Sequence, residues 1–189
     1  MSALNIFLDT HPEHCLLYTQ DRIQIAKELN NVGVRFEQWA TNASIGTHST
    51  HAEILAAYDA DIKRLVAEQG FLSWDVVSLH PNHPDKTALR QKFLDEHTHN
   101  EDEVRFFVSG FGLFTLHIDN KVYSVHCERG DFISVPAKVL HWFDMGPNPD
   151  FIAIRLFNNP EGWIAQYSGD DIGNKFPKLV EQDPVCLML

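Results

Sequence analysis

The chain has 189 residues, 44% of them hydrophobic and 22% charged, an ordinary composition for a soluble globular protein of about one domain. Its formal charge of −11 argues against nucleic acid or an anionic membrane as a partner. No apolar run approaches the ~20 residues of a membrane span. The start, Met1-Ser2-Ala3-Leu4-Asn5, lacks the basic and apolar regions of a secretory signal, and Cys15, Cys127 and Cys186 are odd in number and widely spaced, which disfavours a disulfide framework. A cytoplasmic location is expected.

In chain order, the spacing predicts a helix over Thr19 to Asn31, with Ile23, Ala26, Leu29 and Val32 on one stripe. Val34 to Ala40 reads as a strand. Thr50-His51-Ala52-Glu53 is a capping box that opens a helix closed by Gly70, burying Ile54, Leu55, Tyr58, Ile62, Leu65 and Val66. Asp75 to His80 is a candidate strand, and Pro84 and Asp85 start a short helix towards Phe93. After Glu96 the pattern changes to short strands over 103–108, 112–118, 121–126, 131–135, 140–144 and 151–157, with a tight hairpin turn at Asp119-Asn120. Such a run suits a small antiparallel barrel with the helices, mostly from the N-terminal half, packed outside it.

The chemistry concentrates in His97-Thr98-His99-Asn100-Glu101-Asp102-Glu103 and in His141. Two histidines separated by one residue share a face of a strand. A short turn brings Glu103 back to the same centre, and a later strand delivers His141 after a glycine turn and a proline, Gly130 to Pro136. Three neutral nitrogens and one hard oxygen, without thiolate, suit divalent iron, nickel, cobalt, manganese or zinc.

These residues carry a resemblance. H-x-H-x3-E-x6-G, met by His97, His99, Glu103 and Gly110, is similar to the first cupin motif, and G-x5-P-x4-H, met by Gly130, Pro136 and His141, looks like the second. Lys138 stands where the second motif usually has glycine, Met145 where an asparagine is often found, and Gln91 where the first motif would open with glycine. These departures argue against a generic sugar-isomerase or storage cupin. Phe93-Leu94-Asp95-Glu96-His97-Thr98-His99 with Asp102-Glu103-Val104-Arg105-Phe106 resembles the acireductone dioxygenase family, as do His141-Trp142-Phe143, the strand Phe151 to Phe157 and Asn158-Asn159-Pro160-Glu161-Gly162-Trp163. The fold implied is mainly β: a cupin-type antiparallel β-barrel (double-stranded β-helix) with flanking helices, in one domain over 1–189. Residues 1–95 are its helical and mixed flank, 96–160 its metal-binding core and 161–189 a C-terminal extension.

Strand parity assigns faces. If Glu103 points into the barrel, so does Arg105, while Val104 and Phe106 point out; Phe143 follows His141, and Arg155 shares a face with Ala153 and Phe157. Two arginines inside a barrel that holds a cation need an anionic partner, which a metal-chelating substrate provides. Phe93 and Phe143 read as an apolar wall for a thioether tail, or as core. The resemblance implies one Fe2+ or Ni2+ per chain held by His97, His99, Glu103 and His141. It implies substrate contacts from Arg105, Arg155, Phe93 and Phe143, and Arg105 favouring the doubly deprotonated enediolate that reacts with O2. The iron form then gives 4-methylthio-2-oxobutanoate and formate from 1,2-dihydroxy-3-keto-5-methylthiopentene, in methionine salvage. The nickel form gives 3-methylthiopropionate, formate and CO. The alternatives are another metal-dependent cupin dioxygenase or isomerase, and a non-enzymatic cupin sensor. A monomer is expected.

Glu96 and Asp102 flank the ligands and read either as supports for them or as solvated loop acids. Trp163 reads as a packed tryptophan or a lid on the pocket. His11/His14, His48/His51 and His80/His83 lack a matching carboxylate and read as turn and surface residues, and His117 and His126 as ordinary strand histidines. Leu179–Leu189 reads as a tail or a docking strand.

Overall fold

A computed structural model describes residues 1–42, 44–46, 48–159 and 163–179. Cys186 and nearly all of the Leu179–Leu189 segment lie outside the described residues, as do Pro160, Glu161 and Gly162. The chain is mainly β. In order it forms β1 (Ala3–Leu8), β2 (His11–Thr19), α1 (Arg22–Asn30), β3 (Arg35–Gln38), α2 (His51–Ala57), α3 (Asp59–Gln69), β4 (Ser73–Leu79), α4 (Lys86–Leu94) and β5 (His97–Thr98). There follow β6 (Glu103–Ser109), β7 (Phe111–Ile118), β8 (Lys121–Glu128), β9 (Asp131–Val135), β10 (Leu140–Asp144), β11 (Phe151–Phe157) and β12 (Gln166–Tyr167). Two antiparallel sheets result, ordered β12-β5-β10-β7-β8-β1-β2 and β3-β9-β6-β11-β4.

The sheets share one core. Inward residues of the first sheet (Leu4, Ile6, Phe114, Leu116, Tyr123, Val125) meet inward residues of the second (Phe36, Phe107, Ile133, Val135, Phe151, Ala153). The opposite parity of the second sheet, Val104, Phe106, Ile152, Ile154 and Leu156, is buried under Trp39 and the helical residues Ile54, Tyr58, Ile62 and Leu65. This is the alternation read from the sequence: period-two strands send one set to the shared core and the other beneath the helices. At the Asp119-Asn120 turn both residues have positive φ, 50° and 60°, as a two-residue hairpin with right-handed strand twist requires.

Three expectations need correction. The flank over 1–95 opens on two strands that were not expected, because β1 and β2 form a hairpin that joins β8 at the sheet edge. β1 buries residues on both faces and so shows no alternation, whereas β2 is a largely exposed edge that carries Pro12, His11 and His14. The first helix buries Ile25 and Leu29, with Ala26 and Val32 packed against the same core, while Ile23 is 82% exposed, so Ile23 alone falls off the predicted stripe and Ile25 joins it. The predicted long helix over 50–70 breaks at Tyr58, whose ring packs edge-on against Phe106 at 4.9 Å and whose hydroxyl accepts from the Asn42 backbone N–H at 3.1 Å. The Thr50–Glu53 capping box and the left-handed Gly70 stop are both present.

Candidate metal centre

The short strand β5 brings His97 opposite His141 on β10, in register. His99 follows two residues on, just past the end of β5, its carbonyl accepting from the Lys138 N–H at 2.9 Å, which ties the ligand loop to the loop before His141. Glu103 opens β6. His97, His99, Glu103 and His141 are all buried, and their donor atoms lie within 4.8 Å of one another. Ligands on opposite sides of one ion, each about 2.1 Å from it, stand about 4.2 Å apart.

Backbone carbonyls set the two facing imidazoles. His97 Nδ1–H donates to the Asp95 carbonyl at 2.7 Å, and His141 Nδ1–H donates to the Val139 carbonyl at 2.8 Å. In the neutral rings this leaves the Nε2 lone pairs for the centre. The His141 Nε2 lies 3.1 Å and the His99 Nε2 3.0 Å from the same Glu103 Oε2. A bare imidazole nitrogen facing a carboxylate oxygen is two acceptors in contact, which a divalent cation between them resolves. The residues fit such an ion. Burial and the neighbouring His141 push His97 down to about 4, so it stays neutral and ready to ligate. Burial by itself raises the Glu103 carboxyl, but the Arg105 guanidinium beside it opposes that, and the carboxyl lies well below the usual range.

Beside the centre opens a cavity of about 450 Å³, bounded by Phe93, Arg105, Phe143, Arg155, Trp163 and Tyr167. Arg105 is buried. Its Nη2 lies 2.9 Å from Glu103 Oε1, its guanidinium carbon stands 4.5 Å over the Phe143 ring, and its Nε has no hydrogen-bond partner among the described residues. A buried N–H without a partner costs about 1–3 kcal/mol, which an anionic ligand would recover. Phe143 also packs against Phe114 at 4.8 Å, so it is both core and wall, whereas Phe93 lines the cavity half-buried. Arg155 lines the cavity too, but its Nε and Nη2 donate to both Asp75 oxygens at 2.8 and 2.6 Å.

Neither flanking acid bonds a ligand imidazole. The Glu96 carboxylate pairs with His117 Nδ1 at 2.9 Å, and His117 Nε2 lies 3.4 Å from Asp9. The Asp102 carboxylate accepts from the Ala137 N–H at 2.9 Å and so braces the loop that leads to His141. Its carbonyl accepts from Trp163 Nε1 at 3.0 Å, which seats the indole 6.0 Å from the His99 ring. His117 is therefore part of a charged network, and His126 is buried with both ring nitrogens unpartnered. The histidines of the remaining pairs stay outside the centre: among the described residues, the cluster of donors contains none of them.

Sequence reasoning missed Asp75 and Tyr167. The Tyr167 ring packs 5.8 Å from His97 because β12 pairs with β5, and Asp75 faces Arg155 through the β4–β11 register. Both contacts depend on strand pairings between segments far apart in the chain, for which no local motif exists.

The model for the ARD/ARD' family matches residues 7–165, a span that contains all four donor residues. The chain is 53% identical over 178 residues to an acireductone dioxygenase of Alcanivorax borkumensis, covering 94% of this chain and 98% of that one. It is 54% identical over 179 residues to that of Klebsiella oxytoca, covering 95% and 99%. Among solved structures it resembles the acireductone dioxygenase from Bacillus anthracis with a cadmium ion in its active centre, with TM-score 0.76, 33% identity, and coverage of 88% of this chain and 98% of that one.

Proposed function

We infer that this chain, which belongs to the ARD/ARD' family and is a metal-dependent acireductone dioxygenase, carries out its reaction at the His97–His99–Glu103–His141 cluster. The observation that carries this placement is the meeting of three imidazole nitrogens and one carboxylate oxygen beside the unpartnered Arg105 Nε. A bound Fe2+ or Ni2+ supplies a Lewis acid that acidifies and orients the enediol oxygens of the substrate.

Arg105 stabilises the resulting dianion, because a fixed guanidinium in a water-poor site favours the doubly deprotonated form that O2 attacks. Glu103 anchors Arg105 from the metal side at 2.9 Å and so fixes where that charge stands. Phe143 and Phe93 hold the alkyl sulfide arm by apolar contact. Trp163, stacked beside His99 and 4.5 Å from Phe157, keeps water from the reacting carbons. Asp102 supports the ligands through the loop it braces before His141, and Glu96 through its pairing with His117 on β7. The chain works as a monomer in the cytoplasm, on a small acireductone and O2; its charge of −11 favours a dispersed, unassociated protein.

The test is to load the stripped protein with iron or with nickel, mix it anaerobically with acireductone, and admit oxygen. Formate is expected from both forms, with 4-methylthio-2-oxobutanoate from the iron form, and with 3-methylthiopropionate and carbon monoxide from the nickel form alone. Stoichiometric metal with unconsumed substrate would contradict the placement.

A further inference from the structure

Arg105 and Arg155 stand directly opposite each other on the neighbouring strands β6 and β11. Like charges in that relation destabilise a sheet unless each is answered, and here the two answers differ. Arg105 meets Glu103 through one Nη and keeps a buried Nε without a partner. Arg155 meets Asp75, the residue opposite it on β4, through two parallel N–H···O bonds of 2.8 and 2.6 Å. The two guanidinium carbons lie equally far, 5.6 Å, from the Trp163 ring. Asp75, Arg155 and Arg105 all border the one cavity.

We propose that Asp75 is a positioning and specificity-determining residue: it occupies the fork of Arg155, so that the buried guanidinium N–H left open to an anion beside the cavity is the Nε of Arg105, whose Nη2 already meets Glu103. This deepens the dioxygenase reading and rests on it. A paired fork is already satisfied in the geometry a carboxylate would seek. The substrate carries its charge on the enediolate oxygens beside the metal, within reach of Arg105. The cleavage products are carboxylates, and their charge settles wherever a planar fork is open. With Asp75 in place, Arg155 contributes shape and ring contacts but no second anion seat, and a cleaved carboxylate is held weakly. Removal of the Asp75 charge opens that seat.

The experiment uses metal-loaded protein and butyrate, a short carboxylate, with its affinity read by calorimetry and by inhibition of turnover. The variants are Asp75→Asn, Asp75→Glu and the double variant Asp75→Asn/Arg155→Gln, each checked by melting and metal content. Asp75→Asn is expected to bind butyrate about fivefold more tightly, a modest gain because the pair is partly solvent-screened. Asp75→Glu is expected to restore the parental affinity, and the double variant to abolish the gain. Unchanged or weaker butyrate binding in a folded, metalled Asp75→Asn would overturn the proposal, as would a gain that survives loss of Arg155. Calorimetry needs no turnover, so an inactive parent enzyme would count against the reaction alone.

Discussion

Arg105 is the residue at which burial and charge are most opposed: it lies in the core, and its cation is answered by a carboxylate that also belongs to the metal cluster. Replacement by Gln keeps a donor but removes the charge. Arg105→Gln should lower kcat/KM by about 10²–10³ while metal content stays at the parental level, as loss of a preorganised electrostatic contact does; equal loss of metal would make the residue structural. His126 and Asp131 make a second residue-scale case. Burial pushes His126 down to about 4, which keeps it neutral in the fold, and pushes Asp131 up to about 6, so that the folded chain holds the Asp131 proton only below that pH. The unfolded chain binds a proton at His126 below about 6.5, so stability falls as pH drops from there towards 4, by roughly 3 kcal/mol in total. Asp131 has the opposite sign: the fold holds its proton up to about 6, and stability falls as pH rises from 3.8 through that value. The two slopes oppose each other between about pH 4 and 6. In chelated protein, His126→Gln should therefore gain stability relative to the parent on acidification across this window. Urea titrations at pH 4.5 and 6.5 check it, and parallel pH profiles would refute the assignment.

At the scale of elements, the six strands between Glu103 and Phe157 were legible because they are short, largely apolar runs that glycines or turns separate. The N-terminal hairpin was not, since β2 is a largely exposed edge strand that carries a proline and two histidines. The missing cupin glycine now has a physical meaning. Lys138 adopts φ +69°, the left-handed region that a side chain resists, and its amine meets the Asn100 side chain. Lys138→Gly should raise stability by about 0.5–1 kcal/mol, the strain relieved less the added freedom of the unfolded chain; a lower melting temperature would show that the Asn100 contact matters more. Gly112 is constrained from outside, because a Cβ there would lie 2.4 Å from the Phe143 ring. Gly112→Ala should cost about 1–3 kcal/mol and raise the KM for acireductone by displacing the ring beneath Arg105. Steady-state kinetics together with thermal melts separate the two effects.

Over the whole molecule, the metal cluster and Arg105 could be read from sequence because motif spacing and strand parity are local rules. The saturation of Arg155 could not: its partner is 80 residues away and becomes visible only when β4 joins β11. The same holds for the clamp between Arg90 and Asp144, two bonds of 2.7 and 2.9 Å that pin α4 to β10, the strand that carries His141. An ion that binds the folded chain alone links these parts thermodynamically, so chelation should lower the melting temperature and reloading should restore it. The most direct measurement is the metal content per chain of the parent protein and of His99→Ala/His141→Ala after the same loading. The expected result is one iron or nickel ion in the parent and only traces in a folded double variant. A full equivalent in the double variant, or turnover by the fully chelated parent, would contradict the account.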